Sequence, residues 1–180
     1  MKNSHKSLLL ITVIISLATL SSFAMQRYLT EDKEEISDSI LMRPEFAIAD
    51  LNGEIRNIKE WDGQVILLNF WATWCPPCLS EIPGFIELQD QYGDQGFQVI
   101  GVAIDEEEAV REFVARLKIN YPVMAAEFEA LELSSRYGNR MGALPYSVFI
   151  NRKGEISDMI TGELSKIEAE AMLKKLGFKS

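Results

Sequence analysis

The chain has 180 residues, 47% hydrophobic and 25% charged, which suits one globular domain with a real core. Its 27 acidic side chains outnumber 18 basic ones, and a net charge of −9 disfavours nucleic acid and anionic lipid as partners. With one histidine and two cysteines, few side chains remain for a soft metal centre.

Lys2, His5 and Lys6 precede an apolar run from Leu8 to Leu20, and Ser22-Phe23-Ala24 could serve as a small-residue cleavage site. Residues 1–24 therefore read as an export signal peptide, either cleaved or kept as an N-terminal membrane anchor. In both cases the basic end stays in the cytoplasm and the rest is exported, so membrane contact is expected only through this segment. Losing these residues removes two lysines and no acid, taking the net charge from −9 to −11. Residues 25–43 are mostly polar and charged and read as a linker, with a folded domain expected over residues 44–180.

Within that domain, "EFAIADLNGEIRNI" alternates around Asn52-Gly53 and predicts a hairpin. Val65–Trp71, "VILLNFW", is a nearly unbroken apolar run, as expected for a central strand covered on both faces. Ile82, Phe85, Ile86 and Tyr92 share one face of a following helix that contains Pro83 and should end at Gly93. Phe97–Ala103 is the next buried strand, completing a right-handed βαβ unit. Asp105 is placed to cap a second helix striped by Val110, Phe113, Val114 and Leu117. A short strand near Val123-Met124, a helix near Ala130–Tyr137 and a second hairpin, Tyr146–Ile150 with Glu155–Ile160, follow. Ser165 and Glu168 form a capping box for a last helix that buries Ala169, Met172, Leu173 and Leu176.

The chemistry lies in "FWATWCPPCLSEIP", Phe70–Pro83, which holds both cysteines. They fall where the first strand of the βαβ unit meets its helix, the edge at which open α/β sheets build sites. A thiol attacks only as thiolate, about 3% populated at neutral pH when its pKa is about 8.5, and a helix N-terminus favours that anion. Pro76 and Pro77 suit a first helical turn and stiffen the segment between the sulfurs. Cys75, expected at the exposed helix start, is the candidate nucleophile, and Cys78, one turn in, resolves the mixed disulfide. A purely structural staple closing so short a loop would add little stability. A metal would need two further ligands, and the only histidine, His5, lies in the export segment. No cofactor is expected beyond the redox-active Cys75–Cys78 pair itself.

"VILLNFWATWCPPCLSEIP", "GFQVIGVAID" and "GALPYSVFINRKGEI" resemble the thioredoxin-like TlpA/ResA family, exported and usually membrane-tethered thiol-disulfide oxidoreductases of bacteria. The likeness covers roughly residues 44–178 and implies an α/β thioredoxin fold. That fold is a central mixed sheet flanked by helices, with an N-terminal β-hairpin and a central βα insertion. It implies that Pro145 is a cis-proline facing the cysteines and that the backbone of Leu144 pairs with a substrate chain beside Cys75. Trp74 would shield the disulfide and offer a contact face, while Trp71 belongs to the core. Thioredoxins proper carry a buried aspartate in the strand before the motif, where this chain has Asn69. Asparagine cannot accept the proton that Cys78 must lose. Glu81, one turn after Cys78, is a candidate base, against the plainer reading of a solvated first-turn acid.

The expected partners are exported proteins with cysteine pairs and a membrane thiol-electron donor, in the periplasm or on the outer face of the cytoplasmic membrane. The resemblance favours a reductant. A cytochrome c maturation thioreductase is a specialised version of the same chemistry. A redox-sensing binding module without turnover is the rival from another class. A peroxidase would need T-x-x-C, whereas Thr73 stands two before Cys75.

Overall fold

The computed structural model describes residues 41–179 together with Thr19, Ser21, Ser22 and Met25. Most of the expected export segment, including Phe23 and Ala24 of its cleavage site, and most of the linker lie outside the described residues. No helix among the described residues is long and apolar enough to cross a membrane.

Leu41–Arg43, just before the expected domain start, belong to the fold, because they pair with the turn that precedes the last strand: Ile156 donates to Leu41 and Arg43 to Gly154. Strands β1 (Ala47–Ala49) and β2 (Ile55–Asn57) form the predicted antiparallel hairpin. Asp50 fixes the five-residue connection by accepting the N–H groups of Asn52 (2.8 Å) and Glu54 (3.1 Å), and Gly53 supplies the positive φ of 80°. A 3-10 turn, Ile58–Trp61, capped by Asn57 and Glu60, then tucks Ile58 and Trp61 into the core.

The main sheet runs in the order β5-β4-β3-β6-β7. It comprises β3 (Val65–Trp71), β4 (Phe97–Ala103), β5 (Val123–Ala125), β6 (Tyr146–Ile150) and β7 (Ile156–Thr161). β3, β4 and β5 are mutually parallel, while β6 is antiparallel to both β3 and β7. Four helices flank it: α1 (Pro76–Tyr92), α2 (Glu107–Leu117), α3 (Phe128–Arg136) and α4 (Lys166–Lys175). This is the thioredoxin-like α/β architecture, with the hairpin in front of it.

Alternation along the buried strands divides the core in two. Val65, Leu67, Trp71 and Val99 pack with α1, α2 and α4. Ile66, Leu68, Phe70, Ile100 and Val102 pack with α3 and the Ile58–Trp61 turn. The first helix ends where expected, at Tyr92 with Gly93 as its C-cap, but Gly93 keeps right-handed angles (φ −54°), and a 3-10 turn, Gly93–Gln95, follows before Gly96 reverses the chain at φ 82°. The start of the second helix differs from expectation. Helix α2 starts at Glu107 without a side-chain cap, because Asp105 is engaged elsewhere.

Candidate active site

β3 ends at Trp71, and Ala72–Trp74 turn the chain into α1, with Cys75 in the N-cap position (φ −100°, ψ 101°). Cys75 and Cys78 are joined by a disulfide, with S–S 2.07 Å and Cα–Cα 5.3 Å. Pro76 and Pro77 occupy the first turn, as predicted, so of the first three helical residues only Cys78 has an N–H to offer an anion. The expectation of an exposed Cys75 needs correction: it is 4% exposed and Cys78 is fully buried. The residue before Cys75, Trp74, is 65% exposed. Trp71 is core, in contact with Phe113 at 5.2 Å between ring centroids.

The turn before Cys75 is tied from the next strand. Asp105 Oδ2 accepts the backbone N–H of Thr73 (2.9 Å) and its hydroxyl (2.5 Å). The tie is possible because β4 runs beside β3, with Trp71 opposite Ala103 and Ile104 donating to the Trp71 carbonyl. Asp105 is thus a clamp on the cysteine turn, which sequence proximity to α2 concealed.

Beneath the disulfide lies a buried polar row. Gly101, Asn69 and Ser147 stand in register across β4, β3 and β6. Asn69 Nδ2 donates to Ser147 Oγ (3.0 Å) and to Glu81 Oε1 (2.7 Å). Glu81 Oε2 accepts the Leu164 N–H (2.9 Å). Glu81 is 3% exposed, which overturns the reading of a solvated acid. Burial pushes its pKa up to about 7, against the lowering effect of those two hydrogen bonds. The sequence did hold the signal: Glu81 lies on the same stripe as Cys78, Ile82 and Phe85, all fully buried. Tyr121 is also pushed up, by burial and then by the Glu81 charge. Gly101 allows the close packing here, since a Cβ there would sit 3.1 Å from Trp71 Nε1 and 3.4 Å from Tyr121.

On the other side of β3, the Leu144–Pro145 peptide is cis. Pro145 directly precedes β6, whose Tyr146 is opposite Phe70, and Leu144 packs against the cluster that contains both cysteines. Among the described residues, neither the N–H nor the carbonyl of Leu144 has a hydrogen-bond partner. Together these features make a redox pair with an adjacent carboxyl and an adjacent free stretch of backbone. Among the described residues, no group of three or more His, Cys, Asp or Glu side chains could hold a metal.

Comparison with known proteins agrees with this geometry. The Redoxin family model matches residues 38–176. The thiol-disulfide oxidoreductase ResA of Bacillus thuringiensis (strain Al Hakam) is 31% identical over 173 residues, covering 96% of this chain and 97% of that protein. A thiol:disulfide interchange protein of the thioredoxin family from Chlorobium tepidum TLS superposes with a TM-score of 0.71 at 29% identity, covering 78% of this chain and 98% of that one. The exposed lipoprotein thioredoxin of Streptococcus pneumoniae strain TIGR4 gives 0.64 at 25% identity, covering 74% and 100%.

Proposed function

The chain belongs to the Redoxin family and is a thioredoxin-like thiol-disulfide oxidoreductase, and from that premise we propose that it acts outside the cytoplasm as a reductant of cysteine pairs in other exported proteins. The observation that carries this reading is the Cys75–Cys78 disulfide at the start of α1, beside the unpaired backbone of Leu144. The export segment read from residues 1–24, and the exposed lipoprotein among the similar structures, support the location.

In the reducing direction, the Cys75 thiolate attacks one sulfur of a substrate disulfide. A mixed disulfide forms, and the other substrate sulfur leaves as thiolate and takes up a proton. Cys78 then loses its proton and attacks Cys75 Sγ, which restores the Cys75–Cys78 bond and releases the second substrate thiol. Two electrons and two protons pass to the substrate. Glu81, with its pKa near neutrality one turn from Cys78, supplies the acceptor for the Cys78 proton that Asn69 cannot provide. The substrate segment lies along Leu144, pairing with its N–H and carbonyl as an added strand. A membrane thiol-electron donor recharges the protein.

Apocytochrome c cysteine pairs are one such substrate class, and a cytochrome c assembly defect on deletion would single them out. The test of the general reading is to express Cys78→Ser in cells and identify what is disulfide-bonded to Cys75. Exported proteins with cysteine pairs are expected, and wild-type protein should be found mainly reduced. An empty trap, together with no insulin reduction by the wild type, would refute it; a mainly oxidised steady state would reverse the direction.

A further inference from the structure

The connection from β7 to α4 ties two parts of the site together. The Gly162 N–H donates to the carbonyl of the cis-proline, Pro145 (2.9 Å), and the Leu164 N–H donates to Glu81 Oε2 (2.9 Å). Its shape is fixed on both sides. Gly162 takes φ 97°, which suits glycine, Leu164 is 1% exposed, and Ser165 opens α4 with its capping box. The single residue between the two tied ones is Glu163, and it is exposed.

Lys166, three residues on, is engaged by Glu87 and Glu170. Among the described residues, the Glu163 carboxylate has no hydrogen-bond or ion-pair partner. Its charge nevertheless reaches the buried acid. Burial first, and then the Glu163 charge, raise the Glu81 pKa. The other groups facing Glu81 bring no charge: the Asn69 amide and the Leu164 N–H are neutral, and burial keeps Tyr121 protonated. Glu163 is thus an unpaired acid at the rim of the site that disfavours the proton-accepting form of Glu81.

We infer that Glu163 reads the substrate, taking the side chain of a lysine or arginine that lies close to the cysteine pair of an exported polypeptide. The inference rests on the proposed function above and names its substrate class. Placement argues for it: a strand paired with Leu144 runs beside Pro145, whose carbonyl is bonded to the residue preceding Glu163. Long, flexible basic side chains can reach a rim carboxylate from such a strand. The chain's net charge of −9 steers basic polypeptides toward the domain in general, and Glu163 supplies the local contact. The pairing does two things. It fixes the substrate's register, and it offsets the charge that keeps Glu81 protonated, so the acceptor for the Cys78 proton is ready when a basic substrate is in place.

The test uses the reduced full-length protein and three disulfide-bonded peptides, identical except for Lys, Ser or Glu at the positions flanking the cysteine pair. Wild type should reduce the Lys peptide roughly tenfold faster than the Glu peptide at low ionic strength, with Ser between them and the ratio shrinking in salt. Glu163→Gln should bring that ratio toward one, and Glu163→Lys should reverse the preference, which a merely structural role would not do. Glu112→Gln, which removes the same charge from an exposed position on α2, should leave the ratio near the wild-type value. A wild-type ratio of one, or a ratio that Glu163→Gln leaves alone or that Glu112→Gln lowers equally, overturns the inference and leaves the redox reading intact. Failure of wild type to reduce any of the three peptides counts against both.

Discussion

The two faces of the central sheet come from the same strands and differ in one row. On the α3 face, Ile66, Leu68, Phe70, Ile100, Val102 and Val148 form an unbroken apolar layer. Its tyrosines turn their hydroxyls out to backbone carbonyls, Tyr137 to Pro44 and Tyr146 to Tyr137. On the α1 face the corresponding layer is interrupted by Gly101, Asn69 and Ser147, which lie side by side beneath α1. That gap admits the Glu81 carboxyl, held by Asn69 and Leu164. One face maximises burial. The other gives up apolar contact so that a titratable group can be held one turn from Cys78.

The comparison breaks most completely at the sulfurs. Cys78→Ser should eliminate turnover and leave a persistent mixed disulfide on Cys75, while its unfolding matches that of the reduced wild type. Phe70→Ala, on the apolar face, should do the reverse. It should destabilise by about 3–5 kcal/mol in denaturant unfolding and leave the reduction potential where it was.

Glu81 sharpens the contrast. Its folded pKa of about 7 lies above the ordinary 4.5, so the native state binds more protons between those values. The Glu81 contribution to stability should therefore be full below about pH 4.5 and be lost, roughly 3 kcal/mol, as pH rises through 7. Glu81→Gln should remove that slope, as melting scans at pH 5 and pH 8 would show. It should also slow resolution of the mixed disulfide, because the amide cannot take the Cys78 proton. A slope that survives the substitution would assign it to other groups.

Smaller effects should follow at the supports. Asp105→Ala frees Thr73 and should destabilise by about 1–2 kcal/mol while speeding alkylation of reduced Cys75; Asp105→Asn, which keeps an acceptor, should recover most of the loss. Ser165→Ala removes the cap beside the Leu164 N–H that holds Glu81, and about 1 kcal/mol is expected in unfolding experiments.

Much of the apolar face was legible because burial on both sides of a strand leaves unbroken runs such as Val65–Trp71. The cysteine pair and the cis-Pro145 were legible too, the second only through resemblance to a family. What escaped were the polar contacts between distant residues. Asp105 is 32 positions from Thr73, and only the β3–β4 register brings them together. Glu81 looked like a surface acid because carboxylates seldom occupy an apolar stripe. Its partners, Asn69 and Leu164, lie 12 and 83 positions away. The exposure of Cys75 was misjudged for a related reason: a helix-start position is open in isolation, but here its sulfur is bonded inward to Cys78.

The central claim is that Cys75 is the thiol that ionises and reacts. Its most direct test is the pH dependence of alkylation in the reduced protein, read site by site by mass spectrometry. The account predicts Cys75 reacting first, with a midpoint below the roughly 8.5 of an ordinary thiol, while Cys78 stays unmodified. A midpoint above that value, or label appearing first on Cys78, would contradict it.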